Sequence, residues 1–301
     1  MNLVLHLLLL TLLPPLMGGV IGRVRALVAG RRGPPLLQPY YELVKLAQKS
    51  AVISPTTSWV FLAGPVVGLT TALVAGLMLP LGAASAPLSF TGDLVAFAYL
   101  LGLGRFFTSA AALDTGSAFE GMGAAREATY SALIEPALLL GMMALVLSTG
   151  STSLAALLGG GAPSPLSVAG APLLLVGVSL FLVLLAENSR VPFDDPATHL
   201  ELTMVHEVMV LDHSGPLLGL IQYGAWVKLT LFAAILVRLL LPLGWGPAWA
   251  DWALLPVGVV VVAAGIGAIE SSMARTRLLL VPRMLVSACL LSAFGLLLLA
   301  R

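Results

Sequence analysis

Between Ala186 and Ser214 the chain reads AENSRVPFDDPATHLELTMVHEVMVLDHS. Six of the 14 acidic residues fall here: Glu187, Asp194, Asp195, Glu201, Glu207 and Asp212. Arg190 and three of the four histidines, His199, His206 and His213, join them. Long apolar runs flank the stretch on both sides. Ionisable groups at or near a membrane are costly and typically mark ion or proton paths. Residues 197–212 have helical spacing, with Asp195 as a cap and Pro196 at the first position. On such a helix the histidines stand seven apart, about 10.5 Å between neighbours. One metal ion bound at about 2 Å per ligand cannot bridge that distance. The residues therefore point to a polar ladder for protons or ions, or to a solvated loop, rather than to a metal centre.

Charges inside the apolar runs form a second set. Arg105, Glu135 and Lys228 each interrupt a long hydrophobic segment. Each costs about 2.5–3.5 kcal/mol at the centre of a membrane helix, so each is expected to face inward and find a partner. For Lys228 the candidate partners are Glu135 and Glu187. Glu135 and Lys228 fit either a relay or a structural buried pair. Arg238, near an outer end, can snorkel to water. A third set, Asp114, Glu120, Arg126 and Glu127, is interspersed with Gly116, Gly121 and Gly123. It reads as a tight inner-face loop.

The elements that position these residues follow from composition. The chain has 301 residues, is 59% hydrophobic and only 10% charged. Soluble domains carry about 25% charged residues, so the bilayer is the solvent here. Only helices or closed barrels can span lipid, and no strand alternation is sustained. The expectation is one all-α membrane domain over 1–301 with eight transmembrane helices. They fall at about 2–22, 57–80, 92–113, 129–149, 170–187, 215–241, 252–272 and 279–300, each near the roughly 20 residues a span needs. Pro14-Pro15 should kink or end the first.

Lys and Arg concentrate in alternate connections: 23–56, 114–128, 187–214 and 273–278. The connections 81–91, 150–169 and 242–251 contain none. This asymmetry places the charged loops in the cytoplasm and both termini outside. Within 23–56, Tyr40, Leu43, Val44 and Ala47 recur at helical spacing against Glu42, Lys45 and Lys49. That predicts a short amphipathic interfacial helix, either a surface anchor or a docking face for a partner.

Several functions are excluded. The single cysteine, Cys289, cannot build a disulfide, a structural zinc site or an iron–sulfur cluster. No phosphate loop, dinucleotide fingerprint or nucleophile elbow is present. A net charge of +1 with no basic run gives no footprint for nucleic acid.

The long motifs carry a family likeness. AENSRVPFDDPATHLELTMVHE resembles the signature loop of the respiratory complex I subunit 1 family, whose core reads A-E-x-x-R-x-P-F-D. GRRGPPLLQPYYELVKL and GMGAAREATYSALIEP resemble the branch in formate hydrogenlyase and membrane-bound group 4 nickel–iron hydrogenases. The likeness covers three inner-face loops and all eight expected spans. It implies a coupling subunit with no cofactor of its own. Its partners would be hydrogenase-like large and small subunits, an iron–sulfur subunit and antiporter-like membrane subunits. The nickel–iron centre and the iron–sulfur clusters would lie in those partners. It further implies a chain of buried acids to which Glu135, Glu187 and Glu201 correspond by position, with Arg190 and Asp194 in the loop motif. After Asp194 the sequence departs from the quinone-reducing members. A quinone-binding subunit of that family and a stand-alone secondary transporter remain as alternatives. No inverted repeat of the kind many transporters have is visible.

Overall fold

The computed structural model describes residues 2–82, 86–159, 165, 167, 170–194, 204–241 and 248–301. Among these residues it is all helical, with no strand. The elements in chain order are α1 (Asn2–Val28), α2 (Gln38–Gln48), α3 (Trp59–Met78), α4 (Asp93–Asp114), α5 (Ala118–Thr149), α6 (Leu154–Leu157), α7 (Ala171–Glu187), α8 (His206–Met209), α9 (Gly215–Leu240), α10 (Ala248–Ser272) and α11 (Val281–Leu299). Seven of them are long and apolar enough to cross a membrane. The eighth expected span, α7, has 17 residues. At 1.5 Å per residue that is about 26 Å, slightly less than the hydrocarbon core.

Two expectations about helix ends are corrected. First, α1 runs unbroken through Pro14 and Pro15 to Val28. Proline removes the hydrogen bond to the carbonyl four residues back. For Pro15 that carbonyl is Thr11 O, and Tyr223 of α9 donates its hydroxyl to it at 2.9 Å. A membrane helix tolerates proline when neighbours satisfy the freed carbonyl. Second, 114–128 is a tight loop only in its first residues. Only 115–117 separate α4 from α5, so Glu120, Arg126 and Glu127 are helical. The glycines there serve packing as well as turning. A Cβ on Gly123 would stand 2.4 Å from Val208 Cγ1 and 3.0 Å from the Val205 carbonyl oxygen. Glycine is what lets the segment containing α8 lie against α5.

The expected helix over 197–212 is also corrected where the structure describes it. Between 204 and 212 only α8 is helical, four residues long, followed by a turn. His199 lies outside the described residues; of the other two histidines, His206 opens α8 and His213 lies beyond its end, so they do not share one helical face. The last rung of the expected ladder, His213, is structural. The His213 ring stacks on Phe61 with centroids 4.0 Å apart, and its Nε2 lies 3.3 Å from the Phe61 carbonyl oxygen. Pro65 is what frees that carbonyl inside α3.

The interfacial helix α2 forms as expected but buries a different stripe. Pro39 is buried, Leu46 packs on Gly219 of α9, and Val44 is exposed. Tyr40 donates its hydroxyl to the Leu12 carbonyl, tying α2 to α1.

The connections sort to two ends of the bundle. At one end Ser58 is bonded to Asp114, Val52 to Ser214, Arg126 to Met204, Asp194 to Arg275 and Pro192 to Thr276. At the other, Asp93 accepts from Ser153 and Leu154, and Arg238 donates to the carbonyls of Pro80 and Gly82. The Lys/Arg-rich connections thus share one end. Arg238 reaches the end of its helix and donates to the carbonyls of the connection after α3.

Candidate functional site

The charges inside the helices converge on Arg105. Helix α4 carries it against α3, where Gly104 permits the approach: a Cβ there would meet Thr71 Oγ1 at 2.6 Å. The guanidinium then reaches three carboxylates. Nη1 donates to Glu135 Oε1 at 2.6 Å, and Nη2 donates to both oxygens of Glu187 at 2.8 Å. Nε is 3.5 Å from Glu127 Oε1. Lys228 Nζ from α9 donates to Glu187 Oε1 at 3.4 Å. Helices α4, α5, α7 and α9 thus each bring at least one member to a single polar centre. A planar guanidinium suits this, since its five N–H groups fan out in fixed directions.

The electrostatics leave room for a proton. Three carboxylates face two cations, so the fully ionised set carries one excess negative charge. One acid can take up a proton and neutralise it. The members differ in access. The Glu187 side chain is 2% exposed, whereas that of Glu135 is 52% exposed on the outside of the bundle.

A second cluster sits at the end of the bundle that holds the Lys/Arg-rich loops. Asp194 Oδ2 accepts the backbone N–H groups of Val205 and His206 at 3.0 and 3.2 Å. Its Oδ1 pairs with Arg275 at 3.1 Å. Arg190 pairs with Glu270 of α10 at 3.3 Å, and Arg25 of α1 approaches the other Glu270 oxygen at 3.8 Å. The chain after α7 is thereby fastened to α1, α10 and the turn before α11.

Two cavities lie between these clusters. The smaller, about 70 Å³, is bordered by Arg105, Glu127, Lys228, Thr71 and Thr108. The larger, about 370 Å³, lies among α1, α2, α9 and the 188–194 segment, with Arg190, Asp194, Glu207 and Glu270 on its wall. His206 borders both. Burial, then the positive charges of Lys228 and Arg190, hold the His206 imidazole down to about 4.

The sequence-expected residues therefore divide. Glu135, Glu187 and Lys228 meet in one network, with Glu127 added from the supposed loop. Of the two partners open to Lys228, the structure pairs it with Glu187. Arg190, Asp194, His206 and Glu207 lie along the larger cavity. Asp114 is apart: its carboxylate accepts from Ser58 N and Oγ at 2.6 and 2.8 Å and from Phe61 N at 3.2 Å, capping α3. Glu120 accepts the Asp212 N–H at 3.2 Å, and Arg126 donates to the Met204 carbonyl. Asp195 and Glu201 lie outside the described residues. Sequence reasoning expected Arg105 to pair but did not place it in the relay, and it passed over Glu270 and Arg275. A lone acid near the C-terminal end of an apolar helix was the available signal for Glu270. Among the described residues no group of His, Cys, Asp and Glu is arranged to hold a metal ion.

A family model described as NADH dehydrogenase matches residues 1–301. The chain belongs to the NADH dehydrogenase (complex I subunit 1) family. Hydrogenase-4 component C of Escherichia coli (strain K12) is 34% identical over 91% of this chain and 87% of its own length. Formate hydrogenlyase subunit 4 of the same organism is 32% identical over 89% and 88%. A subunit of the NADH-quinone oxidoreductase of Rubrobacter xylanophilus is 30% identical over 72% and 64%. A chain in the structure of the membrane-bound sulfane sulfur reductase, an archaeal respiratory membrane complex, has the same fold. Its TM-score is 0.83, at 22% identity over 99% of both chains. As a member of this family, the chain is a multi-pass membrane protein.

Proposed function

We propose that this chain is the membrane-anchor and coupling subunit of an ion-translocating complex of the hydrogenase or formate hydrogenlyase type. It links peripheral redox subunits on the cytoplasmic side of the inner membrane to an ion-pumping membrane arm. The observation that carries the reading is the Arg105 network. Five ionisable side chains from four helices are held together at membrane depth, a costly arrangement that hydrophobic packing could replace with equal or greater stability. A network this costly favours a role in moving charge. The network also has two ends. Glu187 closes α7 beside the charged inner loops, and Glu135 emerges on the outer face of α5. A half-exposed carboxylate beside lipid is unfavourable. A neighbouring membrane subunit covering Glu135 removes that cost and receives the charge. The proton or sodium ion, the electron donor and the electron acceptor belong to the whole complex.

The test is Glu187→Gln in the assembled complex, which keeps shape and removes charge. Redox turnover and ion uptake are measured together in proteoliposomes. Loss of ion uptake per electron with assembly intact supports the reading. Normal uptake at normal turnover overturns it.

The larger cavity favours a second reading, a quinone-binding subunit. Its 370 Å³ falls in the ordinary range for small-molecule sites. Its charged wall of Arg190, Asp194, Glu207 and Glu270 favours water over a quinone ring. Quinone-dependent turnover of the purified complex distinguishes the two.

A further inference from the structure

The two cavities share three wall residues, His206, Ile221 and Ala225. Ile221 and Ala225 are apolar and cannot exchange a proton. Among the described residues, His206 is thus the one group with acid–base chemistry that borders both spaces. The smaller cavity is polar enough for water: Arg105, Glu127, Lys228, Thr71 and Thr108 border it. A buried water needs about 10–15 Å³ of such volume and two to four polar partners, so the space admits on the order of five. The larger cavity is bordered by charged groups of both signs.

We propose that His206 is the proton-transfer residue that joins the two cavities, and that both hold the water that delivers and removes the proton. The inference rests on the coupling reading above and names the entry to the Arg105 network. Imidazole suits the position because one ring nitrogen accepts while the other donates. A water in the larger cavity gives a proton to the bare nitrogen, forming an imidazolium and leaving hydroxide, which takes a proton from the solvent side. The proton on the opposite nitrogen then leaves to water in the smaller cavity and from there to a carboxylate. Glu127 is the acceptor at hand, since it borders that cavity and its ion pair with Arg105 is the longest of the three at 3.5 Å. The ring is left neutral in the other tautomer and resets by turning over.

The surroundings support a transient rather than a resting imidazolium. Lys228 of α9 and Arg190 of the loop oppose positive charge on the ring and keep it neutral between transfers. Glu127 of α5, with Asp194 and Glu207 of its own segment, supplies negative charge along the route. The backbone is held independently of the ring. Asp194 Oδ2 accepts the His206 N–H, and Arg275 holds Asp194. A side-chain replacement at His206 therefore leaves its anchor in place.

The experiment uses the whole complex in proteoliposomes, with proton uptake and redox turnover read in parallel. His206→Gln is expected to lower protons moved per electron at least about tenfold, in keeping with the usual contribution of a positioned acid–base group. His206→Gly should show the same loss and recover with added imidazole but not with N-methylimidazole, which cannot carry a proton through. Normal coupling in His206→Gln overturns the proposal, as does equal rescue by both additives. If Glu187→Gln uncouples while His206→Gln does not, His206 is excluded and the coupling reading stands. If neither does, the coupling reading fails first. Sodium transport without proton uptake overturns His206 alone. Should the variants fail to assemble, infrared difference spectra of the native complex with isotope-labelled histidine decide the matter. A turnover-dependent change in the histidine ring bands, to imidazolium or to the exchanged neutral tautomer, supports the transfer, and ring bands that do not respond to turnover overturn it.

Discussion

Arg105 and Lys228 both neutralise Glu187, but they are not equivalent. Arg105 makes three hydrogen bonds at 2.6–2.8 Å to two acids and also faces Glu127. Lys228 makes one contact at 3.4 Å. Removing Arg105 strands several carboxylates, at a cost of about 3–5 kcal/mol. Removing Lys228 leaves Glu187 held by Arg105, so the loss is nearer a single charged hydrogen bond, about 1.5–3 kcal/mol. Thermal unfolding in detergent should therefore rank Arg105→Met well below Lys228→Met, and Glu187→Gln combined with Lys228→Met should recover part of the second loss. Equal destabilisation by the two single variants would remove Arg105 from the hub. His206 gives a pH signature at the same scale. Its ordinary value is 6.5 and the folded protein holds it to about 4, so between these values the unfolded chain binds the proton more tightly. The contribution is complete above 6.5 and is lost as pH falls toward 4, at up to about 1.4 kcal/mol per unit. His206→Gln should flatten the stability profile in that window. An unchanged slope would mean that the ring titrates as it does in water.

Helix interiors in this chain are shaped by partners outside each helix. The carbonyls freed by Pro15 and Pro65 are met by Tyr223 and His213. Two glycines in the first turns of α5 illustrate the same dependence with opposite signs. At Gly121 the nearest atom to an added Cβ is Leu113 Cδ2 at 4.0 Å, so Gly121→Ala should stabilise the helix by up to about 1 kcal/mol. At Gly123 the Cβ would overlap Val208, Met209 and the Val205 carbonyl, so Gly123→Ala should cost about 1–3 kcal/mol. Chemical or thermal unfolding of the two variants checks the signs. A stabilising Gly123→Ala would mean that the α8 segment does not rest on α5. These glycines lie where the sequence suggested a loop. Glycine marks both turns and close approaches, and only the neighbour distinguishes them.

For the whole molecule, the hydrogen bonds gather the Lys/Arg-rich connections at one end and the uncharged ones at the other. Ala51 lies at the first end and Ser89 at the second, both exposed. With Cys289 replaced by serine, cysteines placed singly at these positions should label from opposite sides of intact cells, Ala51→Cys from the cytoplasm and Ser89→Cys from outside. Labelling from the same side would refute the topology. The membrane class, nearly every span, the uneven charge of the loops and the intramembrane charges that need partners were legible along the chain, whereas Glu270 and Arg275 were passed over. Hydropathy, charge asymmetry and the cost of a charge in lipid are local properties, readable one segment at a time. Which charges meet depended on how the helices pack. Arg105, Glu135, Glu187 and Lys228 stand tens of residues apart, with Glu187 and Lys228 on different helices, and no spacing rule relates them. Helix rotation and close packing at Gly104 set which side chains face one centre. The same holds for Asp114, indistinguishable in sequence from a relay acid until its carboxylate is seen capping α3. Likewise His206 and His213 look alike at seven-residue spacing, yet one borders two cavities while the other stacks on Phe61. A helical repeat describes residues within one element, whereas function here depends on which faces of different helices come together.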